Sequence, residues 1–281
     1  MRALTFLARR FVAGETTDSA IAVGRRLQGR GIRAVFSLLG EDVGDPEAAR
    51  RHAQADVALL RSIPEGIERN ISVKLSSLGL DLSEALCLDL TSGILDVARE
   101  VGGFIRLDME GSQHTQRTLD VFHQLRKKHE NLGVTLQAYL FRTDDDVKEA
   151  IARGDRVRLC KGAYQEPASI AHRRMEDVRK AFTRQARLLL EKGRRPGLAT
   201  HDESLIGDAV AFICEAQIPR ENYEFQMLYG LRPRRWDRLV REGHDVRIYV
   251  PYGTRWLPYF LRRFRERKEN VLFVLRGLLG G

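Results

Sequence analysis

Short runs with the composition of β-strands recur along this chain, and longer stretches with helical periodicity separate them. The runs are rich in Val, Ile, Leu, Phe and Tyr, and most end in glycine or another turn residue. The eight predicted strands are residues 33–40, 70–77, 104–111, 133–140, 155–162, 196–201, 223–230 and 246–253. Helical spacing of apolar residues is clearest at 46–61, 83–99, 115–128 and 168–192.

Strict alternation of strand and helix favours a parallel sheet, because a crossover helix returns the chain to the same end of the sheet. Eight such units in about 250 residues match the size of a (β/α)8 barrel. We therefore predict an α/β fold, a single (β/α)8 TIM barrel domain over residues 1–281. Extra N-terminal helices would occupy residues 1–30, the eight units residues 33–253 and C-terminal helices residues 254–281.

Several predicted strands alternate between apolar and polar residues, although strands of a parallel sheet are normally apolar on both faces. In the third strand Arg106, Asp108 and Glu110 alternate with apolar neighbours, and the second, fourth, fifth and eighth strands behave similarly. Polar faces directed into the barrel must be paired or must meet a ligand. The pattern predicts a polar bore that binds a substantial polar ligand. An antiparallel sheet with one wet face is the alternative, which the intervening helices disfavour.

Composition excludes several classes of protein. Hydrophobic residues make up 43% and charged residues 30% of the chain, as in ordinary globular proteins. No apolar run approaches the roughly 18 residues of a membrane span, and the N-terminal apolar segment is too short for a signal peptide. Cys87, Cys160 and Cys214 have neither zinc-site spacing nor a disulfide framework. This usage indicates a reducing, cytoplasmic compartment.

The net charge of +9 is compatible with a nucleic acid, an anionic membrane surface or an anionic ligand as partner. Because the charges are dispersed along the chain and no recognition motif is present, a nucleic-acid-binding protein is the weakest of these interpretations. The motifs GxGxxG, GxxxxGK[ST], HExxH, GxSxG and CxxC are also absent.

Residues 254–268 directly follow the last predicted strand, where the active-site face of a barrel is built. As a helix, this segment carries Tyr259, Arg262, Arg263 and Glu266 on one stripe. The two adjacent arginines suit a carboxylate or a phosphate. A (β/α)8 enzyme that acts on a phosphosugar is one interpretation that these residues leave open.

A set of motifs occurs in a fixed order along the chain: SVKLS at 72–76, LDME at 107–110, QAYL at 137–140, RVRLCKGAY at 156–164, ATH at 199–201, EFQMLYG at 224–230, YVPYG at 249–253 and YFLRRFRE at 259–266. In this order they resemble the proline dehydrogenase family in its short monofunctional bacterial form. FVAGE at 11–15 is similar to the family's N-terminal helix signature.

The resemblance implies a distorted (β/α)8 barrel that binds FAD non-covalently and oxidises L-proline to 1-pyrroline-5-carboxylate, the first step of proline catabolism to glutamate. It implies hydride transfer from proline C5 to flavin N5 and reoxidation of the flavin by a membrane quinone. A pyrroline-5-carboxylate dehydrogenase is the implied partner for the product. FAD is also a polar ligand of the size that the predicted bore demands, and the missing Rossmann motif is then expected.

Residue roles follow from the same resemblance. Asp108 and Arg158 are the implied catalytic residues, with Arg158 at flavin N5. The other implied flavin contacts are Met109, Gln137, Lys161, Gly162, Ala163, Thr200 and His201. The residues implied to bind proline are Lys74, Leu228, Tyr249, Tyr259, Arg262, Arg263 and Glu266. Hydroxyproline-oxidising relatives carry a smaller residue where this chain has Tyr249, which favours proline.

Two alternatives stay open at this point, and one residue departs from the family pattern. Asp108 and Lys74 would also fit a purely structural ion pair, and Tyr249 and Leu228 would fit an ordinary core. Gln165 stands where many members of the family have a tryptophan, so the contacts at the adenine end of FAD are not implied.

Residues 270–281 are apolar but too short to cross a bilayer. Together with the basic surface and the quinone acceptor, they predict peripheral contact with the inner face of the cell membrane. A docking surface for a second subunit is the alternative.

Overall fold

The computed structural model describes residues 10–257 and residue 259. The strands are β1 Arg33–Leu38, β2 Asn70–Val73, β3 Phe104–Leu107, β4 Leu132–Gln137, β5 Arg156–Cys160, β6 Gly197–Ala199, β7 Glu224–Leu228 and β8 Val246–Tyr252. The α-helices that lie within the described range are α1 Thr17–Gln28, α2 Pro46–Ser62, α3 Glu84–Glu100, α4 Ser112–Arg126, α5 Thr143–Arg153, α6 Met175–Lys192, α7 Glu203–Glu215 and α8 Pro233–Arg241.

The eight strands form a closed parallel barrel in chain order. β8 closes on β1, with Arg33 opposite Arg247 and Val35 opposite Tyr249. Helices α2 to α8 follow β1 to β7 in turn, whereas α1 precedes β1 and packs against β8 and β1. The prediction of a (β/α)8 barrel is confirmed. Within the described residues, no helix is both long and apolar enough to cross a membrane.

Four helices begin at residues whose side chains accept a hydrogen bond from the first turn. These N-cap residues are Thr16 for α1, Asp45 for α2, Ser83 for α3 and Asp202 for α7. A side-chain oxygen at this position pairs one of the backbone N–H groups that the first turn leaves without a partner. The sequence therefore specifies where these helices begin.

Two sets of predicted boundaries are wrong. The predicted strands continue past the observed ends, most clearly at β2, where Leu75–Leu78 form a 3-10 turn instead of sheet. The helix predicted from residue 168 begins only at Met175. Before it, Ala171 forms an antiparallel bridge with Leu140, and the Phe141 N–H donates to the Ile170 carbonyl. Residues 168–170 form a turn in which the Ile170 and Ala171 N–H groups donate to the Pro167 carbonyl, and the bridge at Ala171 stops this turn from continuing into the helix.

The two faces of the sheet have different environments. The outward face packs on the helices through a continuous apolar core that includes Phe36, Ile71 and Phe225, all without exposed surface. The inward face is polar, as the alternation predicts. Large inward side chains require space, and Gly197 provides it, because a Cβ atom there would lie 2.4 Å from Gln226 Nε2.

Ion pairs fill the amino-terminal part of the bore. Arg247 donates to Glu224 and to Glu68 at 2.9–3.0 Å, and its third nitrogen donates to the Ala34 carbonyl at 2.9 Å. Burial opposes ionisation of Glu224, but Arg247 and Arg106 together hold the pKa of this carboxyl well below its usual range. The protein itself supplies an acceptor for each Arg247 nitrogen and a donor for both Glu224 oxygens, so this ion pair needs no ligand.

We expect the isosteric substitution Glu224→Gln to lower the free energy of unfolding by about 3–5 kcal/mol, because it removes the fully buried one of the two carboxylates that pair with Arg247. Urea denaturation at pH 7 measures the change. The matched control is Glu149→Gln, whose carboxylate pairs with Arg153 at 2.8 Å on the surface and should contribute less than about 1 kcal/mol. Equal effects of the two substitutions would contradict a structural role for the bore ion pair.

Candidate active site

Four of the predicted functional residues lie together at the carboxyl ends of the strands, where (β/α)8 enzymes build their active sites. Lys74 directly follows β2 and Asp108 directly follows β3, while Arg158 and Tyr249 belong to β5 and β8. The Arg158 guanidinium carbon lies 5.4 Å from the centre of the Tyr249 ring. Closure of the barrel therefore brings together four residues that are distant in sequence.

The Asp108 carboxylate is the centre of this group. Its Oδ1 atom accepts hydrogen bonds from the Ser72 hydroxyl at 2.7 Å and from Arg158 Nη1 at 2.8 Å. Its Oδ2 atom accepts from the Tyr249 hydroxyl at 2.8 Å and lies 3.6 Å from Lys74 Nζ. One carboxylate thus fixes the positions of two cations and one phenol.

Asp108 is ionised in this environment. Burial opposes its charge, but the charges of Lys74 and Arg158 and the hydrogen bonds from Ser72 and Tyr249 lower its pKa below the ordinary value. The pKa of Tyr249 is raised, first by burial and then by the Asp108 charge, so the phenol stays protonated and donates.

Lys74 is buried but keeps its charge. Burial opposes protonation, yet the charges of Asp108 and Glu110 raise the pKa of Lys74 above its ordinary value. Within the residues that the structure describes, Nζ forms an ion pair at 3.6 Å but no hydrogen bond. Its three N–H donors are therefore uncommitted and suit the carboxylate of a small substrate.

In the described residues, two of the three Arg158 guanidinium nitrogens donate hydrogen bonds and the third has no acceptor. Nε donates to Gln226, and Nη1 donates to Asp108 and to Ser72 at 2.9 Å. Nη2 is buried and has no hydrogen-bond partner among residues 10–257 and 259. Buried donors without partners are costly, so this atom marks the position of a missing acceptor.

Three of the predicted flavin contacts, Gln137, Lys161 and Thr200, lie at or directly after the carboxyl ends of β4, β5 and β6. Gln137 Nε2 donates to the Glu110 carbonyl at 2.8 Å, and Gln137 Oε1 accepts from Ala163 N–H at 3.4 Å. Lys161 pairs with Asp202 at 3.2 Å. Thr200 accepts a hydrogen bond from the Asp202 backbone at 3.1 Å.

His201, Met109 and Gly162 are the other predicted flavin contacts, and each has a different environment. His201 Nε2 accepts from the Leu228 N–H at 3.0 Å. Met109 is buried within the apolar core cluster. Gly162 has φ +122°, a conformation that favours glycine, and a Cβ atom there would lie 2.3 Å from the Tyr139 ring.

The structure describes only part of the segment after β8 that is predicted to bind the carboxylate of proline. Tyr259 is buried and packs with Val12 and Leu39. Arg262, Arg263 and Glu266 lie outside the described residues, as do residues 1–9 and the predicted membrane segment 270–281. Their roles stay predictions.

Two residues of the network were not predicted to have roles. Ser72 lies two residues before Lys74 on the same face of β2, and Gln226 lies two residues before Leu228 on β7. Both follow from the alternation of inward polar residues, which is the signal that would have found them. The pairing of Ser72 with Asp108 and of Gln226 with Arg158 does not follow from that signal.

The buried polar atoms at this end of the bore fit a flavin. Arg158 Nη2 and the neighbouring Thr135 Oγ1 are both buried without a partner in the described part of the chain, and register places Thr135 beside Arg158. A flavin ring offers several carbonyl oxygens and ring nitrogens that accept hydrogen bonds. The ammonium, guanidinium and hydroxyl donors present here are complementary to such a ring, so these residues suit the cofactor that the family resemblance implies.

Comparison with known proteins gives a consistent result. The family profile described as Proline dehydrogenase matches residues 20–276. Proline dehydrogenase 1 of Bacillus subtilis (strain 168) is 40% identical over 97% of this chain and 90% of its own length. Proline dehydrogenase of Deinococcus radiodurans is 38% identical over 98% of this chain and 91% of its own.

Among solved structures, the proline utilization A protein of Bdellovibrio bacteriovorus, inactivated by N-propargylglycine, superposes with a TM-score of 0.85 at 26% identity. The match covers 97% of this chain but only 34% of that protein. The present chain therefore corresponds to about a third of it.

The lowered pKa of Asp108 predicts a pH-dependent effect of Asp108→Asn. At pH 7 the substitution leaves Lys74 and Arg158 without their shared partner, at an expected cost of about 3–5 kcal/mol. Because the folded pKa of Asp108 is depressed, its contribution is complete above the unfolded value of about 4 and is lost as the pH falls through the folded pKa. The difference in free energy of unfolding between the parent protein and Asp108→Asn should therefore become smaller below about pH 4.

Urea denaturation from pH 7 to pH 3 measures this difference. Asp145→Asn is the control, because the Asp145 side chain is 84% exposed and pairs only with Lys148 in the described residues. A difference for Asp108→Asn that is the same at pH 3 and pH 7 would contradict an ionised Asp108.

Proposed function

This chain belongs to the proline dehydrogenase family, and on that premise we propose that it oxidises L-proline to 1-pyrroline-5-carboxylate with bound FAD as its oxidant. Membership makes it an oxidoreductase of proline metabolism. The observation that carries the rest of the proposal is the Asp108 cluster, in which one buried carboxylate holds an uncommitted ammonium and an orphaned guanidinium nitrogen at the mouth of the barrel.

Lys74 binds the carboxylate of proline. Its charge is maintained by Asp108, and its three donors are available, so a substrate carboxylate gains a charge-assisted hydrogen bond at a desolvated site. Arg262 and Arg263 are the proposed second part of this clamp. Fixing the carboxylate orients the ring of the substrate, and such positioning is the main contribution that a protein makes to a cofactor reaction.

Arg158 is the residue proposed to face the flavin ring. Asp108, Ser72 and Gln226 hold its Nε and Nη1 atoms, so Nη2 is presented in a fixed direction without further loss of side-chain entropy. A fixed positive charge favours negative charge that develops beside it. The chemistry that a bound flavin would supply here is acceptance of a hydride from proline C5 and transfer of two electrons to a membrane quinone.

Formation of the C5=N double bond requires that the substrate nitrogen has first released its ammonium proton to solvent, so that its lone pair forms the bond as C5 loses a hydride. Tyr249 and Leu228 are proposed to enclose the ring and exclude water from it. The imine product is released and, in this proposal, is oxidised further by a separate pyrroline-5-carboxylate dehydrogenase. Peripheral membrane contact through residues 270–281 would bring the enzyme to its quinone.

The proposed function is tested by the visible absorption spectrum of the purified protein before and after anaerobic addition of L-proline. We expect a flavin band near about 450 nm that loses its intensity with L-proline. A flavin band that does not respond to proline would contradict the proposal that L-proline is the substrate. A colourless protein that takes up no added FAD would overturn the proposal as a whole.

Lys74→Met should lower kcat/KM for L-proline by roughly 30- to 1000-fold, because it removes one partner of a desolvated charge pair. Most of the effect should appear in KM, with FAD binding retained. Lys148→Met is the control, since the Lys148 side chain is 65% exposed and pairs with Asp145 on the surface of α5. An unchanged KM in the Lys74 variant would contradict carboxylate binding by Lys74.

A further inference from the structure

Helix α4 begins without a cap of its own. Its N-cap residue is Gly111, which has no side chain to accept a hydrogen bond, and its first turn contains no acidic residue. Helices α1, α2, α3 and α7 all have a side-chain cap. The amino terminus of a helix presents N–H groups without partners and a partial positive charge. In α4, a residue from elsewhere in the chain supplies the acceptor.

Glu166 supplies that acceptor from a position 54 residues away. Its Oε1 atom accepts from the Ser112 N–H at 2.7 Å, and its Oε2 atom accepts from the Ser112 hydroxyl. The Glu166 side chain is buried, with 9% of the residue exposed. A carboxylate is well suited to this place, because the helix dipole favours a negative charge there.

Glu166 also ends the segment that carries the proposed flavin contacts after β5. We call residues 161–166 the cofactor loop; it contains Lys161, Gly162 and Ala163. At its start, the Tyr139 N–H donates to the Lys161 carbonyl at 2.9 Å, and the Ala163 N–H donates to Gln137 at 3.4 Å. The start of the loop is thus bound to the end of β4.

The Tyr139 side chain connects the two ends of the cofactor loop. Its ring fills the space beside Gly162, and its hydroxyl donates to Glu166 Oε1 at 3.5 Å. Burial, followed by the Glu166 charge, raises the pKa of Tyr139, so the hydroxyl stays protonated and remains a donor. The far end of the loop is anchored through Glu166 to Ser112 on α4 and to this phenol.

We propose that Glu166 is a positioning residue, which holds the cofactor loop in the conformation that binds the flavin by capping helix α4. The inference rests on the proposed function, because that function makes the flavin the ligand of the loop. Without the cap, Lys161 to Ala163 keep their attachment to β4 but lose the anchor on α4, and ordering the loop becomes part of the cost of binding FAD.

Three variants separate this role from general stabilisation of the fold. Glu166→Ala removes both bonds to Ser112. Glu166→Gln keeps them, since its amide oxygen accepts from the Ser112 N–H and its NH2 group donates to the Ser112 hydroxyl. Glu176→Ala is the matched control, because Glu176 lies in the first turn of α6, is 59% exposed and pairs with Lys180 and Arg174.

The measurement is the dissociation constant of FAD, obtained by titrating each apoprotein and following flavin fluorescence, together with the melting temperature of the apoprotein. We expect Glu166→Ala to raise the FAD dissociation constant roughly 10- to 100-fold, the effect of losing a charge-assisted hydrogen bond. Glu166→Gln should restore most of the affinity, and Glu176→Ala should match the parent protein. At saturating FAD, the KM for L-proline should be the same in all four proteins.

The outcomes are distinguishable. If Glu166→Ala binds FAD as tightly as the parent, the inference is wrong and the proposed function stands. If its weaker binding is accompanied by an equal loss in Glu166→Gln and by a lower melting temperature in both, the residue only stabilises the fold and the inference is wrong. If the parent protein binds no FAD, the proposed function fails first.

If the Glu166→Ala apoprotein does not fold, the variant Ser112→Ala tests the same inference with a smaller change to the structure. Ser112→Ala removes only the hydroxyl bond and retains the backbone bond to Glu166 Oε1. We expect an intermediate rise in the FAD dissociation constant with an unchanged melting temperature. No rise would overturn the inference.

Discussion

Charged side chains inside a closed barrel must find their partners inside it, and this constraint organises the whole molecule. A chain of contacts runs along the bore from Glu68 through Arg247, Glu224, Gln226 and Arg158 to Asp108, where it meets Lys74. At the amino-terminal end, each of the three Arg247 nitrogens has an acceptor. At the carboxyl end, the Asp108 carboxylate contacts two cations, and Arg158 Nη2 has no hydrogen-bond partner among the described residues. We place the site at the carboxyl end because the two cations there have donors to offer to a ligand.

The same constraint explains how the site can be rigid before a ligand arrives. Asp108 is desolvated, which is unfavourable by itself, and it is ionised only because Lys74, Arg158, Ser72 and Tyr249 surround it. These residues in turn need Asp108 to remain charged and fixed. A cluster of this kind loses little entropy on binding, and its electrostatic interactions are stronger than in water. The arrangement suits a reaction in which the protein positions a substrate against a cofactor that carries out the redox chemistry.

The sequence predicts the barrel well because its information is local. Strand and helix alternate, inward polar residues recur with a period of two, and turn residues follow each strand. What the sequence does not predict is pairing across the bore or between loops. Arg158 is identifiable as an inward arginine, but its bond to Ser72, 86 residues away, depends on barrel closure. The Glu166 cap on Ser112 has no local signal, since Gly111 gives no indication of a distant acceptor. Boundaries failed where loops pair with each other, as at Leu140 and Ala171.

The central claim is that Asp108 holds Lys74 for the substrate and Arg158 for the cofactor. A crystal structure of the protein with FAD and a non-oxidisable cyclic carboxylate that resembles proline tests it most directly. The account predicts that the ligand carboxylate lies within hydrogen-bond distance of Lys74 Nζ, that Arg158 Nη2 donates to the flavin ring, and that Asp108 keeps its bonds to Ser72, Arg158 and Tyr249. A flavin bound away from Arg158, or a carboxylate bound away from Lys74, would contradict it.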